Sequence, residues 1–233
     1  MLSRRLETIV SMCGSGRCVA DIGTDHGFVP IELLRRGCFE RAIAMDIRSG
    51  PLSRAEEHIR ERGLADRAQV RLSDGMEKLA QWEADTVVIA GMGGGLMAEI
   101  LAAKPETAKA AERLVLSPQS DIPEFRRFLH RSGFCILQEE MLLEDGKTYV
   151  VMAARPGTEE PWEEAEYTYG KDLILGKHPV LLERLHREIR ADEELAEHLR
   201  KGPGERTKER LLEVEAHREM AEKVLSRMER IST

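Results

Sequence analysis

Residues 19–27 read Val19-Ala20-Asp21-Ile22-Gly23-Thr24-Asp25-His26-Gly27, an apolar strand that runs into a glycine turn. A second apolar run, Ala42-Ile43-Ala44-Met45, follows and ends on Asp46. A strand, a glycine turn, a helix and a second strand closed by an acid are typical of α/β folds that hold an adenosine-type cofactor. The glycine lets the backbone approach a ligand closely, and the terminal carboxylate can accept hydrogen bonds from both ribose hydroxyls.

Strand and helix patterns alternate over the first part of the chain. Helices are predicted at 2–13, 27–36, 51–62, 94–103 and 122–132, and strands at 17–22, 42–47, 68–73, 85–90 and 113–117. The strands carry Val, Ile and Leu at successive positions, as buried parallel strands do. This alternation predicts a doubly wound sheet with helices on both faces.

A hairpin signal follows the fifth predicted strand. Two strand-like runs, 135–138 and 148–152, flank Glu144-Asp145-Gly146-Lys147, and Asp-Gly is a frequent two-residue hairpin turn. Five parallel strands closed by an antiparallel pair form the seven-stranded, Rossmann-like sheet of class I methyltransferases. A dinucleotide-binding domain would instead end on a sixth parallel strand. We therefore predict a catalytic domain over residues 1–156, with a short N-terminal helix.

Residues 157–233 have a different composition and are predicted to form a helical tail. The segment 158–233 is dense in Glu, Arg, Leu and His and is helical in pattern throughout. Apolar or small residues recur at helical spacing in two stretches, with Asp192 interrupting the first: Leu182, Leu185, Ile189, Ala196 and Leu199, then Val214, His217, Ala221, Val224, Met228 and Ile231. Lys201-Gly202-Pro203-Gly204 separates the stretches, which predicts an antiparallel, coiled-coil-like helical hairpin.

The composition limits the classes of function. A net charge of −7 over 233 residues does not indicate a nucleic-acid-binding protein, so a polyanion would have to meet a local basic patch. The four cysteines show no metal-ligand spacing, and free thiols favour the cytoplasm. No signal-peptide core or membrane-spanning run is present, and no metal pair of histidines occurs.

The turn after the first strand carries the most specific chemistry. Dinucleotide dehydrogenases need a second glycine where this chain has Asp25, because a pyrophosphate lies against bare backbone there. A carboxylate would repel that pyrophosphate but suits the sulfonium and ammonium groups of S-adenosylmethionine. Asp25 is therefore a predicted catalytic residue, although it could simply cap the next helix. The predicted cofactor ligands in this stretch are Asp21, Gly23, Thr24 and His26, and His26 could alternatively be structural.

Three further strand ends supply candidate residues. Asp46 is predicted to hold the cofactor ribose, although it could be a surface acid at a strand end, and Ile47 is predicted to contribute to the cofactor site. Asp74-Gly75-Met76 are predicted to bind adenine through an acid and a backbone amide, or to form a plain turn. Ala90 is a further cofactor ligand. The glycine-rich run 91–95 should leave open backbone against which a substrate base can lie. Gly91, Met92 and Gln119 complete the predicted catalytic set, with Gln119 at the purine edge.

Two arginine pairs, Arg4-Arg5 and Arg35-Arg36, are predicted to bind RNA phosphates near the cofactor cleft. The alternative is that these arginines only cover solvated helix faces.

The chain resembles the bacterial tRNA (adenine-22-N1)-methyltransferases, the TrmK family. The motifs that carry the resemblance are Leu2-Ser3-x-Arg5-Leu6, residues 20–30, Gly50-Pro51, residues 89–94, Ser117-Pro118-Gln119, residues 144–149 and the helical tail. Ser117-Pro118-Gln119 departs from the family's usual Gln-Pro-Asn. The resemblance implies methyl transfer from S-adenosylmethionine to N1 of an adenine in the D-arm region of tRNA, and a tail that helps to hold the tRNA.

Other functions are compatible with the same residues. The protein could methylate another RNA, a protein or a small molecule, or bind RNA without catalysis on the same fold. A nicotinamide oxidoreductase is disfavoured by Asp25. We expect tRNA as the partner, and a monomer or a weak dimer.

Overall fold

A computed structural model describes residues 2–202 and 204–231 of the protein. Contacts divide the chain into two compact units, Met1–Pro161 and Trp162–Thr233.

The first unit contains one seven-stranded sheet. Its strands are β1 (Gly16–Ile22), β2 (Phe39–Asp46), β3 (Ala68–Leu72), β4 (Thr86–Ala90), β5 (Arg113–Ser117), β6 (Phe134–Glu144) and β7 (Lys147–Pro156). They lie in the order β3-β2-β1-β4-β5-β7-β6. The first five are parallel, whereas β7 runs antiparallel to both β5 and β6. The predicted Rossmann-like methyltransferase sheet is thereby confirmed.

Helices connect the strands of this unit. They are α1 (Arg4–Met12), α2 (Phe28–Arg35), α3 (Ser49–Glu61), α4 (Gly94–Ala103), α5 (Pro105–Ala110) and α6 (Ile122–Arg131). All but α5 were expected from the apolar spacing. The short α5 begins with a proline in its first turn, where the missing N–H has no helical partner to lose.

The central strands form the core because both of their faces are covered. Every residue from Cys18 to Ile22 is buried, and Leu114, Val115 and Leu116 are fully buried. The edge strand β3 is only partly buried. Successive apolar residues are thus explained by burial on both sides of a parallel sheet.

The predicted hairpin is confirmed and is longer than expected. Asp145 and Gly146 have φ angles of 50° and 74°, which a type I′ turn requires at both central residues. Glu144 and Lys147 face each other across the turn. The register shifts once, between Ile136 and Gln138, which marks a bulge in β6.

The second unit is helical, with α7 (Glu164–Tyr169), α8 (Lys171–Leu175), α9 (Pro179–Arg200) and α10 (Glu205–Arg230). The prediction of helix throughout 158–233 is wrong for 158–163, for Gly170 between α7 and α8, and for 176–178. Glu163 and Glu166 form a reciprocal capping box that starts α7 after the first of these breaks. A proline in the first turn of α9 follows the last break.

The two long helices α9 and α10 pack against each other. Their buried residues are Leu181, Leu185 and Ala196 in α9, and Val214, Ala221, Val224 and Met228 in α10. Arg200 pairs with Glu215 at 2.7 Å, and Asp192 with His217 at 2.6 Å, so the chain reverses direction between them. Asp192, the polar interruption of the first apolar stretch, therefore meets the polar member of the second. Of the predicted turn, Pro203 lies outside the described residues.

Among the residues described, no helix combines the length and the apolar composition that crossing a bilayer requires.

Candidate functional site

A cavity of about 480 Å³ opens at the carboxyl ends of the parallel strands. It lies where the strand order reverses between β1 and β4, the usual ligand position in open α/β sheets. Its volume is in the range of small-molecule and cofactor sites. The lining residues are Arg5, Leu6, Asp21, Gly23, Thr24, Asp25, His26, Gly27, Phe28, Val29, Asp46, Arg48, Ala90, Gly91, Met92 and Gln119.

The glycine turn after β1 is fixed to the end of β2. The N–H groups of Gly23 and Thr24 donate to the Met45 carbonyl oxygen at 2.7 and 2.9 Å. Gly23 has a φ of 79°, and a Cβ added to it would overlap the Cε methyl group of Met92. The position therefore favours glycine for its backbone conformation, and an added Cβ would also displace the end of the Met92 side chain.

Two buried carboxylates, Asp21 and Asp46, lie at the inner end of the cavity, with 7% and 6% of their surface exposed. Burial raises the pKa of Asp21 to about 6, and the negative charge of Asp46 acts in the same direction. Asp46 Oδ1 accepts the Arg48 N–H at 2.7 Å, and the Arg48 Nε lies 3.5 Å from the same oxygen. Within the described part of the chain, Oδ2 makes no hydrogen bond, so it can accept one from a ribose hydroxyl.

Asp25 lies on the outer side of the same turn, where it is exposed to solvent. Arg54 Nη2 donates to Asp25 Oδ1 at 2.6 Å, and His26 Nε2 lies 3.3 Å from Asp25 Oδ2. The hydrogen bond from Arg54 lowers the pKa of Asp25, so the carboxylate is ionised at neutral pH. A role for Asp25 beside a cationic group remains a prediction.

Three aromatic rings stack at the rim of the cavity. The ring centroids of His26, Phe28 and His58 lie 5.1 to 5.6 Å apart with interplanar angles of 13° to 23°. His58 Nδ1 lies 3.0 Å from the His26 carbonyl oxygen and ties α3 to the turn. No local sequence pattern predicts a role for Phe28 or His58, because nothing in the sequence indicates that residues thirty positions apart will stack.

The glycine-rich run after β4 is only partly open. Gly91 has a φ of 81°, and a Cβ there would lie 3.9 Å from the Gln119 side-chain nitrogen. A Cβ on Gly94, by contrast, would come within 2.7 Å of the Ser120 carbonyl oxygen, because the Gly94 N–H donates to that oxygen at 3.0 Å. A Cβ on Gly93 would also lie 2.9 Å from Ser120 Oγ. The expectation of open backbone across the whole run is thus wrong at Gly93 and Gly94.

Gln119 is held beside Gly91 and Met92 by the backbone. The Gln119 N–H donates to the Met92 carbonyl oxygen at 2.9 Å, and the Gly91 N–H donates to the Ser117 carbonyl oxygen at 3.3 Å. The predicted catalytic residues Gly91, Met92 and Gln119 therefore line one wall of the cavity, and Ala90 lies beside them.

Four predicted cofactor ligands lie at the same sheet edge but do not contribute to the lining. These are Ile47, Asp74, Gly75 and Met76. The Ser73 N–H donates to the Asp46 carbonyl oxygen at 2.9 Å, which keeps this loop next to the end of β2. Met76 is 1% exposed, so the prediction for Met76 depends on its backbone amide.

The predicted RNA-binding arginines have different surroundings. Arg35 pairs with Glu32 at 2.8 Å, and Arg36 pairs with Glu7 at 2.7 Å and with Glu32 at 2.9 Å. The positive charges of Arg35 and Arg36 are therefore largely compensated by these carboxylates. Arg4 is exposed at the start of α1, and only Arg5 of the four lines the cavity.

Comparisons with known proteins agree with this geometry. A family model described as "Methyltransferase domain" matches residues 2–152. The tRNA (adenine(22)-N(1))-methyltransferase of Bacillus subtilis (strain 168) is 31% identical over 230 residues, covering 96% of this chain and 97% of the relative.

Solved structures show the same similarity along both chains. The crystal structure of the B. subtilis tRNA methyltransferase TrmK has a TM-score of 0.84 at 31% identity, covering 97% of this chain and 99% of that chain. Streptococcus pneumoniae Sp1610 in complex with S-adenosyl-L-methionine has a TM-score of 0.85 at 30% identity, covering 97% of this chain and all of that chain (100%). The chain belongs to the tRNA (adenine(22)-N(1))-methyltransferase family.

Proposed function

We propose that the protein transfers a methyl group from S-adenosylmethionine to N1 of adenine 22 in tRNA. The observation that carries this proposal is the cavity at the strand ends, where two buried carboxylates and the Gly23 turn face the wall formed by Gly91, Met92 and Gln119. The B. subtilis relative, named for this reaction, aligns over nearly the whole chain.

The cavity fits S-adenosylmethionine chemically. Asp46 offers a carboxylate oxygen for the ribose diol, and Asp21 places a second acid near the position of a cationic group. Gly91 leaves the backbone open toward the cavity, whereas the space beside Gly23 is filled by the Met92 methyl group. We therefore assign Asp21, Gly23, Thr24, His26, Asp46 and Ala90 to the cofactor, and place Ile47 and the segment 74–76 around its adenine.

The reaction needs alignment more than proton transfer. When bound, S-adenosylmethionine supplies a methyl group on a sulfonium centre. Adenine N1 has an in-plane lone pair, so no side chain has to remove a proton to create the nucleophile. The wall of Gly91, Met92 and Gln119 would orient the purine, and correct orientation supplies much of the rate of such reactions.

The chain also offers acceptors for the charge that methylation places on adenine. Ala90, Gly91 and Asp25 are among the residues that line the cavity, and they carry carbonyl and carboxylate oxygens. Oxygens directed at the N6 amine would stabilise the cationic product ring. The target base has to leave its stack in the tRNA before it can enter the cavity.

Site mapping tests the proposed reaction. We expect one tritiated methyl group per unmodified tRNA transcript, at N1 of adenine 22, as identified by mass spectrometry of the nucleosides and by arrest of reverse transcription. A transcript with guanosine at position 22 is the matched control and should not be labelled. Methylation at another position, or of another acceptor, would show that the proposed substrate is wrong. Tight tRNA binding without transfer would instead favour a non-catalytic RNA-binding protein.

The raised pKa of Asp21 predicts a pH dependence of cofactor binding. A carboxyl in an unfolded chain has a pKa of about 3.9, so burial of the ionised group destabilises the folded protein by about 3 kcal/mol. The contribution of Asp21 to stability is fully present below about pH 4 and is lost as pH rises through the folded-state pKa of about 6. A cationic ligand binds the ionised form better, so its affinity has the opposite trend.

We expect S-adenosylmethionine affinity to rise about tenfold per pH unit below pH 6 and to level off above it, as measured by calorimetry. Asp21→Asn is the control, because its amide cannot titrate, and any slope that it retains belongs to other groups. Identical pH profiles for the two proteins would remove Asp21 from the cofactor site.

We further propose that residues 1–156 are the catalytic domain and that the tail, 157–233, contributes to tRNA affinity. The protein would act in the cytoplasm, where its four free cysteines stay reduced. The adenine lone pair makes a metal unnecessary, so activity should survive chelators. Sedimentation with and without tRNA would test the expected monomer or weak dimer.

A further inference from the structure

The start of α1 is attached to the β6–β7 hairpin. Glu144, the last residue of β6, accepts the Arg4 N–H at 2.6 Å and lies 3.4 Å from the Arg5 nitrogen. Ser3 Oγ accepts the Leu6 N–H at 3.3 Å. The first turn of a helix has N–H groups without helical partners, and a carboxylate there is stabilising. The hairpin therefore sets the position of Arg5.

The side chain of Arg5 is positioned by the same hairpin. Its guanidinium carbon lies 5.1 Å from the ring centroid of Tyr149 on β7, within cation–π range. Both residues are half-buried, and Arg5 lines the cavity that also contains Gln119. A guanidinium that stacks on a ring keeps its in-plane N–H donors available for another partner.

Arg5 differs in its charge environment from the other arginines around the cavity. Arg48 lies 3.5 Å from a carboxylate oxygen of Asp46, and Arg54 lies 2.6 Å from one of Asp25. Within residues 2–202 and 204–231, Arg5 has no carboxylate oxygen within 4.0 Å of its guanidinium nitrogens. Its positive charge and its donors are thus available at the cavity, in a protein with a net charge of −7.

We propose that Arg5 binds a backbone phosphate of the extruded nucleotide, and that Tyr149 and Glu144 are positioning residues that hold Arg5 there. This inference rests on the proposed function, because it assumes a nucleic-acid substrate. A base that leaves its stack brings its own phosphates to the rim of the pocket that receives it. Arginine donates two parallel hydrogen bonds to phosphate. Such a contact fixes the position of the nucleotide and also neutralises the phosphate charge.

Steady-state kinetics on the full chain test the proposal. We expect Arg5→Ala to lower kcat/KM for tRNA by about 10- to 100-fold, the usual range for a lost charge-assisted contact. S-adenosylmethionine affinity, measured by calorimetry, should stay within about twofold. The slope of log tRNA affinity against log salt concentration should become shallower by about one. Arg17→Ala is the matched control, and its kcat/KM and salt slope should change little, because Arg17 lies at the amino end of β1 and is already paired with Asp85 at 2.8 Å.

Tyr149 variants separate positioning from general stability. Tyr149→Phe keeps the aromatic face and should retain nearly all activity toward tRNA. Tyr149→Leu should lose about as much kcat/KM as Arg5→Ala, and the double variant should lose little more, because the two residues act as a unit. Thermal melts identify any variant that fails to fold. Equal losses of kcat/KM in Tyr149→Phe and Tyr149→Leu would contradict the positioning role of Tyr149. So would full additivity of the Arg5→Ala and Tyr149→Leu effects in the double variant.

Failure of this proposal is distinct from failure of the proposed function. If the wild-type protein methylates no tRNA, the proposed function is wrong, and the salt slopes for tRNA binding still decide the role of Arg5. An unchanged salt slope and unchanged tRNA affinity in Arg5→Ala overturn the phosphate contact whether or not methyl transfer occurs. A parallel loss of S-adenosylmethionine affinity would also overturn it, because Arg5 would then act on the cofactor side.

Discussion

Replacing Asp46 by alanine should weaken S-adenosylmethionine binding by about 100-fold or more in a calorimetric titration. The variant loses hydrogen bonds from the ribose diol to a charged acceptor, each worth about 1.5–3 kcal/mol, and about 1.4 kcal/mol corresponds to a tenfold change in affinity. Asp46→Asn should lose only about tenfold, because an amide oxygen still accepts one bond and can keep the 2.7 Å contact with the Arg48 N–H.

Asp66→Ala is the matched control for Asp46→Ala. Asp66 is exposed beside the amino end of β3, at the opposite edge of the sheet, so the same change there should leave cofactor affinity unaltered. Affinity should decrease in the order wild type, Asp46→Asn, Asp46→Ala. This graded loss distinguishes removal of the hydrogen-bond acceptor from unfolding of the protein. A dissociation constant for Asp46→Ala within twofold of the wild-type value would remove this residue from the cofactor site.

Gly23→Ala should lower the rate of methyl transfer on the order of 100-fold, as displacements of about 1 Å near reacting groups do, and should also weaken S-adenosylmethionine binding. The new Cβ would overlap the Met92 Cε methyl group, so either the turn or Met92 must move within the cavity. The residue also has a φ of 79°, where an alanine costs about 1–2 kcal/mol of backbone strain. Calorimetry reports the affinity, and denaturant titration reports the free energy of unfolding.

Gly63→Ala separates the two effects of the Gly23 substitution. Gly63 has a φ of 66°, similar to that of Gly23, but an added Cβ there would meet no atom within 4 Å. Both variants should lose about 1–2 kcal/mol of stability, and only Gly23→Ala should lose cofactor affinity. A second change, Met92→Ala, should restore part of that affinity by opening space. Equal cofactor affinity in Gly23→Ala and Gly63→Ala would contradict the proposed packing against Met92.

The sheet and its turns were predictable because their signals are local. Buried parallel strands need successive apolar residues, and the ends of β1 and β2 carry Gly23 and Asp46 within a single β–α–β unit. Asp145-Gly146 determines the hairpin, since two adjacent residues must adopt positive φ. Several cavity residues, Asp21, Gly23, Asp46 and Gly91 among them, follow from such patterns, because strand ends of a parallel sheet meet at one edge.

Other features depend on contacts between distant parts of the chain, and a local pattern does not specify them. The two arginine pairs, 4–5 and 35–36, look alike in sequence, yet Arg36 is paired with Glu7 whereas Arg5 stacks on Tyr149. In the sequence, Asp192 only interrupts an apolar stretch, whereas in the structure it pairs with His217 of α10. Side-chain partners of this kind are decided by tertiary packing, because a charge is available to a ligand only when the fold brings no opposite charge to it.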